Sequence, residues 1–457
     1  MMELKEKSVL VLGLGETGLS LVRWLDARGA RLRVADTRSK PPGLDQVARL
    51  VPPSEVHCGP FGDALLQGID LIAISPGVPM RDSLVQRAIG RRIPVVGDIE
   101  LFAQALPEGR RPKIIAITGS NGKTTVTSMV GAMCRAAGLD TEVAGNISPA
   151  VLDAWLTRQG KQPQVWVLEL SSFQLEATSS LRADAATVLN VTEDHLDRYP
   201  DMVAYAAAKE RIFSGCGVRV LNRDDERSNA MARAGSACVK FGIHPPQRNG
   251  DWSVVRDGAD TWLVQGQRRV LNANELQVAG MHNVANALAA LALCRAIDLP
   301  LETLCAALRS FKGLPHRVEK VAEIGGVEYY DDSKGTNVGA TEAALNGLGR
   351  PAVVILGGEG KGQDFSPLRQ AVAEHARAVV LIGRDAGMIE AALQGCGKTI
   401  VRARDMADAV QQSAVLARRG DAVLLSPACA SFDMFRNYEH RAEVFVAAVR
   451  DLQGETA

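Results

Sequence analysis

The sequence predicts an α/β protein of three domains built mainly on parallel sheets. Short apolar runs alternate with helical stretches along the whole chain, the pattern of strand–helix–strand units. Glycine-containing turns close most of the early runs. The 457 residues correspond to about three domains at roughly 150 residues each. In the first segment Val9 to Leu12, Arg31 to Ala35, Leu71 to Ser75 and Pro94 to Val96 read as strands. The polar, proline-containing stretch from Pro107 to Pro112 breaks both periodicities and reads as a linker. Ile114 to Ile117 opens a second core, continued by Val165 to Leu168 and Ala186 to Leu189. Short alternating runs from about Val218 to Val270 read as richer in antiparallel strand. A second joint is expected over Phe311 to Arg317, after which Val327 to Tyr330, Val353 to Leu356, Val379 to Ile382 and Ala422 to Leu425 recur as strands. The expected domains are therefore 1–110, 111–314 and 315–457.

Composition excludes several classes. With 52 basic against 52 acidic residues and 4% aromatics, the chain lacks both the charge and the stacking surface of a general nucleic-acid binder. Its eight cysteines are scattered, with no C-x-x-C, so they are expected to be buried free thiols in a reducing compartment. Glu3, Lys5, Glu6 and Lys7 make the N-terminus unlike a signal peptide. The longest uncharged stretch, Leu276 to Cys294, carries Gln277, His282, Asn283 and Asn286, and reads as a loop entering a buried helix, not a membrane span. A cytoplasmic protein with no membrane insertion is the expectation.

Gly13-Leu-Gly15-Glu-Thr-Gly18 follows a strand and opens a helix, and Asp36 ends the next strand. That context fits a dinucleotide site, and alone favours an NAD-dependent oxidoreductase. Any other diphosphate, or an empty tight turn, satisfies the same physics. A sharper signal is Thr118-Gly-Ser-Asn-Gly122-Lys123-Thr124-Thr125, set between an apolar strand and a helix whose Val126, Met129, Val130 and Met133 share one face. Gly138 is a plausible helix stop. Helix-end N–H groups, the Lys123 charge and the Thr124 hydroxyl suit a nucleotide triphosphate and Mg²⁺. Two residues separate Gly119 from Gly122, where the usual P-loop has four. Glu169 ends an apolar strand, where a carboxylate needs either a metal or an ion-pair partner. His195 lies among acids after another strand, as a site residue or a solvated loop histidine. Asp331 to Asn337, Gly357 to Lys361 and Ser426 to Asp433 each follow a strand, as ordinary turns or as one anion-binding mouth.

Together with Glu169-Leu-Ser-Ser-Phe-Gln174, Asn190 to Asp197, His282-Asn-Val-Ala-Asn286 and Gly313-Leu-Pro-His-Arg317, these motifs run in order along the chain and resemble the Mur ligase family. They look most like its branch that adds D-glutamate. The resemblance implies a Rossmann-like N-terminal domain, a central P-loop ATPase-like domain and a C-terminal Rossmann-like α/β domain. It implies an ATP-dependent amide ligase that adds D-glutamate to UDP-N-acetylmuramoyl-L-alanine, acting as a monomer. Gly15, Glu16, Thr17, Asp36, Thr37 and Arg38 would hold the uridine diphosphate end, with Gly77 and Asn146 on the same substrate. Gly119, Ser120, Asn121, Gly122, Lys123, Thr124 and Thr125 would hold ATP phosphates, Asn283 and Asn286 adenine, Arg317 phosphate and Asp332 ribose. Thr124 and Glu169 would bind one Mg²⁺ and His195 a second, with a carbamate on Lys209 as metal-ligating or metal-positioning anion. Lys334, Thr336, Lys361, Ser431 and Tyr438 would hold the amino acid, Tyr438 standing where phenylalanine is common. A neighbouring family member or an L-glutamate-adding variant is the alternative within the class. An ATP-driven switch module would leave the terminal lysine and serine loops without a task.

The implied chemistry has a clear electrostatic demand. A carboxylate must be activated before an amine attacks it, and bringing it to a triphosphate costs about 4 kcal/mol per charge pair at about 4 Å and an effective dielectric of about 20. Lys123 and two Mg²⁺ would offset that repulsion. Since the whole chain is neutral, positive charge is expected to concentrate at Arg38, Lys123, Arg317, Lys334 and Lys361. Closure of the last domain over the acyl phosphate would need hinges near 107–112 and 311–314.

Overall fold

Uninterrupted apolar runs become the central strands of three sheets in this computed structural model, which describes residues 3–455 apart from 108, 110, 259 and 279. Glu108 and Arg110 of the expected first linker thus lie outside the described residues. The first sheet is wholly parallel, in spatial order Val56–Cys58, Arg31–Asp36, Ser8–Leu12, Leu71–Ile74, Val95–Val96. Val9 to Leu12 are all inaccessible, because helices and neighbouring layers cover both faces of a parallel sheet.

The second sheet has nine strands, ordered Arg268–Asn272, Asp260–Gln265, Trp252–Asp257, Ala237–Phe241, Val218–Asn222, Ala185–Val188, Lys113–Thr118, Val165–Glu169, Thr141–Gly145. The antiparallel character expected across Val218 to Val270 is confined to the three strands from Trp252 to Asn272. Val218–Asn222 and Ala237–Phe241 pair in parallel. The reason is visible in burial: adjacent Val220 and Leu221 are both inaccessible, so both faces are covered there. The third sheet runs Glu319–Ile324, Val327–Asp331, Ala422–Leu425, Ala352–Gly357, Ala376–Ile382, Thr399–Arg402, with Glu319–Ile324 antiparallel at one edge.

The three units join in different ways. One apolar cluster runs from the first sheet into the second. At its heart Trp155 meets Trp24 edge-on at 5.4 Å and stacks on Trp166 at 6.3 Å, while Phe102 meets Trp166 at 5.0 Å. Arg23 clasps Asp153 beside it, with Nε donating to Oδ1 at 2.9 Å. The apolar clusters of the third unit contain only its own residues among those described. It meets the centre through polar contacts such as Asn337 Nδ2 to Asn121 Oδ1 at 3.0 Å. Two equivalent hinges are therefore not what the packing supports, because relative motion at the first joint would expose apolar surface.

All eight cysteines are free; five are buried, Cys58 and Cys216 are half-buried, and Cys238 is exposed on the strand Ala237–Phe241, against the expectation of burial. Among the described residues no helix is long and apolar enough to cross a membrane. The uncharged stretch forms the helix Met281–Arg295, whose Ala287 to Cys294 are buried against the central sheet.

Candidate active site

The first cavity forms at the end of Ser8–Leu12. Gly13 turns the chain at φ 89° and the helix Glu16–Asp26 begins immediately after Gly15. A Cβ on Gly18 would lie 1.9 Å from the Gly13 carbonyl oxygen, so the helix approaches the turn as closely as it does only because residue 18 has no side chain. Asp36 receives the Leu14 N–H at 2.7 Å and the Arg38 N–H at 2.9 Å, and grips the Arg38 guanidinium at 2.9 Å and 2.7 Å. Burial alone would raise the Asp36 carboxyl, but the Arg38 fork and these backbone donors outweigh it and hold it at about 2. Arg38, where positive charge was expected to concentrate, is thus paired with Asp36. The cavity has a volume of about 400 Å³, and Gly15, Glu16, Thr17, Thr37, Gly77 and Asn146 contribute to its walls alongside that pair.

Asn146 links this cavity to a second centre, because its Nδ2 donates to Glu169 Oε1 at 2.9 Å. The strand Lys113–Thr118 delivers the loop Gly119 to Gly122, and the helix Lys123–Ala136 follows at once. Gly122 adopts φ 82°, and a Cβ there would sit 2.7 Å from Asn286 Oδ1. Lys123 Nζ folds back onto the carbonyls of Gly119 at 2.8 Å and Ser120 at 2.9 Å. Ser120 Oγ donates to the Thr192 carbonyl at 3.0 Å and lies 3.2 Å from the Tyr205 hydroxyl. Lys209, on the helix Met202–Glu210, is 2% exposed and donates to the same Gly119 carbonyl at 2.9 Å, with Nζ 4.4 Å from the Tyr205 ring centre. No carboxylate pairs with it among the described residues. Burial, then the neighbouring Lys123 charge, push the Lys209 amine well below the usual lysine range.

Two deficits of opposite kind meet here. Glu169 is buried and its Oε2 has no hydrogen-bond partner. Arg317 crosses from the third unit to give Thr124 Oγ1 a hydrogen bond from Nη2 at 3.1 Å, yet its buried Nε donates to nothing. An unpartnered buried carboxylate oxygen and an unpartnered buried guanidinium N–H are each costly. The first wants a cation and the second an anion. The donor set around them, a carboxylate and the Thr124 hydroxyl, is hard oxygen, which suits Mg²⁺. His195 lies on the Asn190 to Asp197 loop in left-handed backbone, φ 57°, with Nε2 3.5 Å from Asp194 Oδ2. Burial lowers its imidazole, against the pull of Asp194.

Asn121, Gly122, Thr125, Asn283, Asn286 and Arg317 line a cavity of about 230 Å³ between the second and third units. Asp332 closes one side of it, accepting from Ser426 Oγ at 2.7 Å, and burial raises its carboxyl to about 7. The three loops of the third unit are stitched together: Ala428 N donates to Gly335 O, Gly357 N to Pro427 O, and Glu359 bridges Ala430. Lys334 Nζ lies 4.9 Å from the Tyr438 ring centre. Ser431 is buried, Thr336 and Lys361 are half-buried, and Lys361 adds positive charge at His195. Some of the expected residues thus line two separate cavities, whereas Lys123, Thr124, Glu169, His195 and Lys209 line neither, and Asn146 ties the first cavity to Glu169.

Arg441 escaped the sequence reading. It is fully buried and clamps two loops, donating to Ser333 Oγ at 3.0 Å, Ser333 O at 2.7 Å and Cys429 O at 3.0 Å. Its signal was a charge on the same helix face as Phe445 and Val449, at i, i+4 and i+8.

A nucleotide cavity on one unit, a phosphate loop on the next and a lysine-bearing third unit define a three-domain, nucleotide-dependent enzyme. The chain belongs to the Mur ligase family. Residues 7–97 match the Mur ligase MurD-like N-terminal domain, 117–294 the Mur ligase middle domain and 316–429 the Mur ligase glutamate ligase domain. The Gly13 to Gly18 turn thus belongs to a ligase and not to an NAD-dependent dehydrogenase. UDP-N-acetylmuramoylalanine–D-glutamate ligase of Nitrosospira multiformis is 60% identical, covering 100% of this chain and 98% of that one. The enzyme of the same name from Nitrosomonas europaea is 59% identical over 97% and 96%. Among solved structures, the fold is shared with UDP-N-acetylmuramate-alanine ligase of Thermotoga maritima (19% identity, TM-score 0.60, 97% and 99% covered). It is shared also with MurF of Acinetobacter baumannii (18% identity, TM-score 0.61, 97% and 91% covered).

Proposed function

We propose that the chain joins D-glutamate to UDP-N-acetylmuramoyl-L-alanine with ATP, releasing ADP and phosphate, as a step of peptidoglycan precursor synthesis. The observation that carries this reading is the pair of opposite deficits at Glu169 Oε2 and Arg317 Nε in one buried centre. A polyphosphate with its magnesium supplies an anion to one and a cation to the other. The relatives' shared name supplies the two substrates.

In this reading residues 1–110 bind the UDP end, 111–314 the ATP and 315–457 the glutamate. Gly15, Glu16, Thr17, Asp36, Thr37, Arg38, Gly77 and Asn146 line the UDP substrate's cavity. Gly119 to Thr125 cradle the phosphates, Asn283 and Asn286 face adenine, Arg317 meets phosphate and Asp332 meets ribose. Thr124 and Glu169 hold one Mg²⁺, and His195 and a carbamate on Lys209 serve a second. Magnesium, when bound, shields the phosphate charges and polarises the transferred phosphoryl group. Lys123, already folded over the loop, neutralises charge as the substrate carboxylate approaches. Transfer of the γ-phosphoryl group gives an acyl phosphate, the glutamate amine attacks its carbonyl carbon, and phosphate leaves. Lys334, Thr336, Lys361, Ser431 and Tyr438 orient the glutamate, the lysines meeting its carboxylates. The enzyme acts in the cytoplasm as a monomer.

Phosphate release tests the assignment. It is expected only when ATP, Mg²⁺, UDP-N-acetylmuramoyl-L-alanine and D-glutamate are all present. Equal turnover without the amino acid, or preference for L-glutamate or for another amino acid, overturns the substrate assignment.

A further inference from the structure

We infer that Arg198 is a positioning residue that holds the Gly77 turn of the first cavity in register with His195. The inference rests on the proposed function only in taking that cavity as the UDP-substrate site. Arg198 lies three residues beyond His195, and its N–H donates to the His195 carbonyl at 2.9 Å. That turn helps hold His195 at φ 57°, a conformation a histidine keeps only when its surroundings over-determine it.

The Arg198 side chain then does two things at once. Its Nη1 and Nη2 donate to the carbonyls of Gly77 and Val78, at 3.3 Å and 3.2 Å, across the boundary between the first and second units. Its guanidinium carbon lies 4.2 Å from the centre of the Phe173 ring, and the His195 ring meets that same phenyl edge-on at 4.8 Å. The side chain is 11% exposed and Glu176 lies 3.8 Å from Nη2. One planar cation thus joins the wall of the first cavity to the ring against which His195 rests. Arg81 adds a strut in the opposite direction, from the first unit to the Asp197 carbonyl at 2.9 Å.

Only arginine meets this demand. Two carbonyl acceptors and an aromatic face require a flat, forked donor, whereas a lysine ammonium offers one point of charge. Since Gly77 and Val78 line the cavity with Asn146, a shift of their turn moves bound UDP substrate relative to His195. Arg198, Gly77 and Val78 do not line the cavity beside the Lys123 loop.

The test compares the full-length protein with Arg198→Lys and Arg198→Ala, measuring the Kd for UDP-N-acetylmuramoyl-L-alanine by calorimetry, KM values for all three substrates, and the melting temperature. The expected result for Arg198→Lys is a rise of about tenfold in Kd and KM for the UDP substrate, with the KM for ATP within about twofold and melting little changed. Added guanidinium ion should partly restore UDP-substrate binding by Arg198→Ala. An unchanged UDP-substrate Kd in Arg198→Lys overturns the inference. Equal changes for ATP and UDP substrate accompanied by a fall in melting temperature also overturn it, as the mark of a merely structural residue. Wild-type protein that binds the UDP substrate but turns nothing over sinks the proposed reaction, and the Kd comparison still decides the role of Arg198.

Discussion

Lys123→Ala is expected to lower ATP-dependent phosphate release by about 10³-fold or more, the scale of removing a preorganised charge from a phosphoryl-transfer site. Its ammonium is held over the loop by the Gly119 and Ser120 carbonyls, the first of which Lys209 also meets. Burial depresses Lys123, but Glu169 and Asp194 pull it back toward the charged form. UDP-substrate binding, measured by calorimetry, should stay within about twofold, because the first cavity is walled by other residues. Retention of turnover would remove the loop from the ATP site.

Lys209→Ala is expected to be comparably severe, at about 10³-fold or more. Among the described residues no carboxylate pairs with Lys209, and burial holds its amine well below the usual lysine range, which favours the neutral form. In the proposed modification its nitrogen would add to the carbon of CO₂, an N–C bond forming as a C=O pair moves onto oxygen and the amine proton leaves to solvent. The proposed carbamate would put an anion near His195, whose imidazole already feels the Lys209 charge. Wild-type activity should fall in CO₂-stripped buffer and return with bicarbonate, and ¹³C-labelled CO₂ should give a carbamate resonance that Lys209→Ala lacks. Activity in Lys209→Ala above a tenth of wild type, or no labelled resonance in the wild type, would overturn the assignment.

The central strands were legible because burial on both faces demands unbroken apolar runs, as in Val9 to Leu12 and Ile114 to Ile117. Several edge strands were not, although Pro94 to Val96 was. Val56–Cys58, Glu319–Ile324 and Thr399–Arg402 have no fully buried residue, so solvent leaves their composition free. The loops of the site announced themselves through glycine and lysine at strand ends. What joins them did not: Asn121 and Asn337 are 216 positions apart, as pairing across units leaves no local period. The pairing of Arg38 with Asp36 went unread, since a charge in sequence gives no sign of the carboxylate that grips it. The burial of Lys209 lay further out of reach, because it depends on residues scattered along the chain.

The aromatic cluster of Trp24, Phe102, Trp155 and Trp166 also has a thermal consequence. Residues that share a core lose it together, so the first two units constitute one cooperative melting body and the third another. A calorimetric scan should resolve into two transitions with enthalpies in the ratio of roughly two to one, following the residues in each. The smaller belongs to the third unit. The polar seam at Arg317 and Asn337 is then where the protein exchanges heat-labile independence for the freedom of one unit to open without unfolding the others.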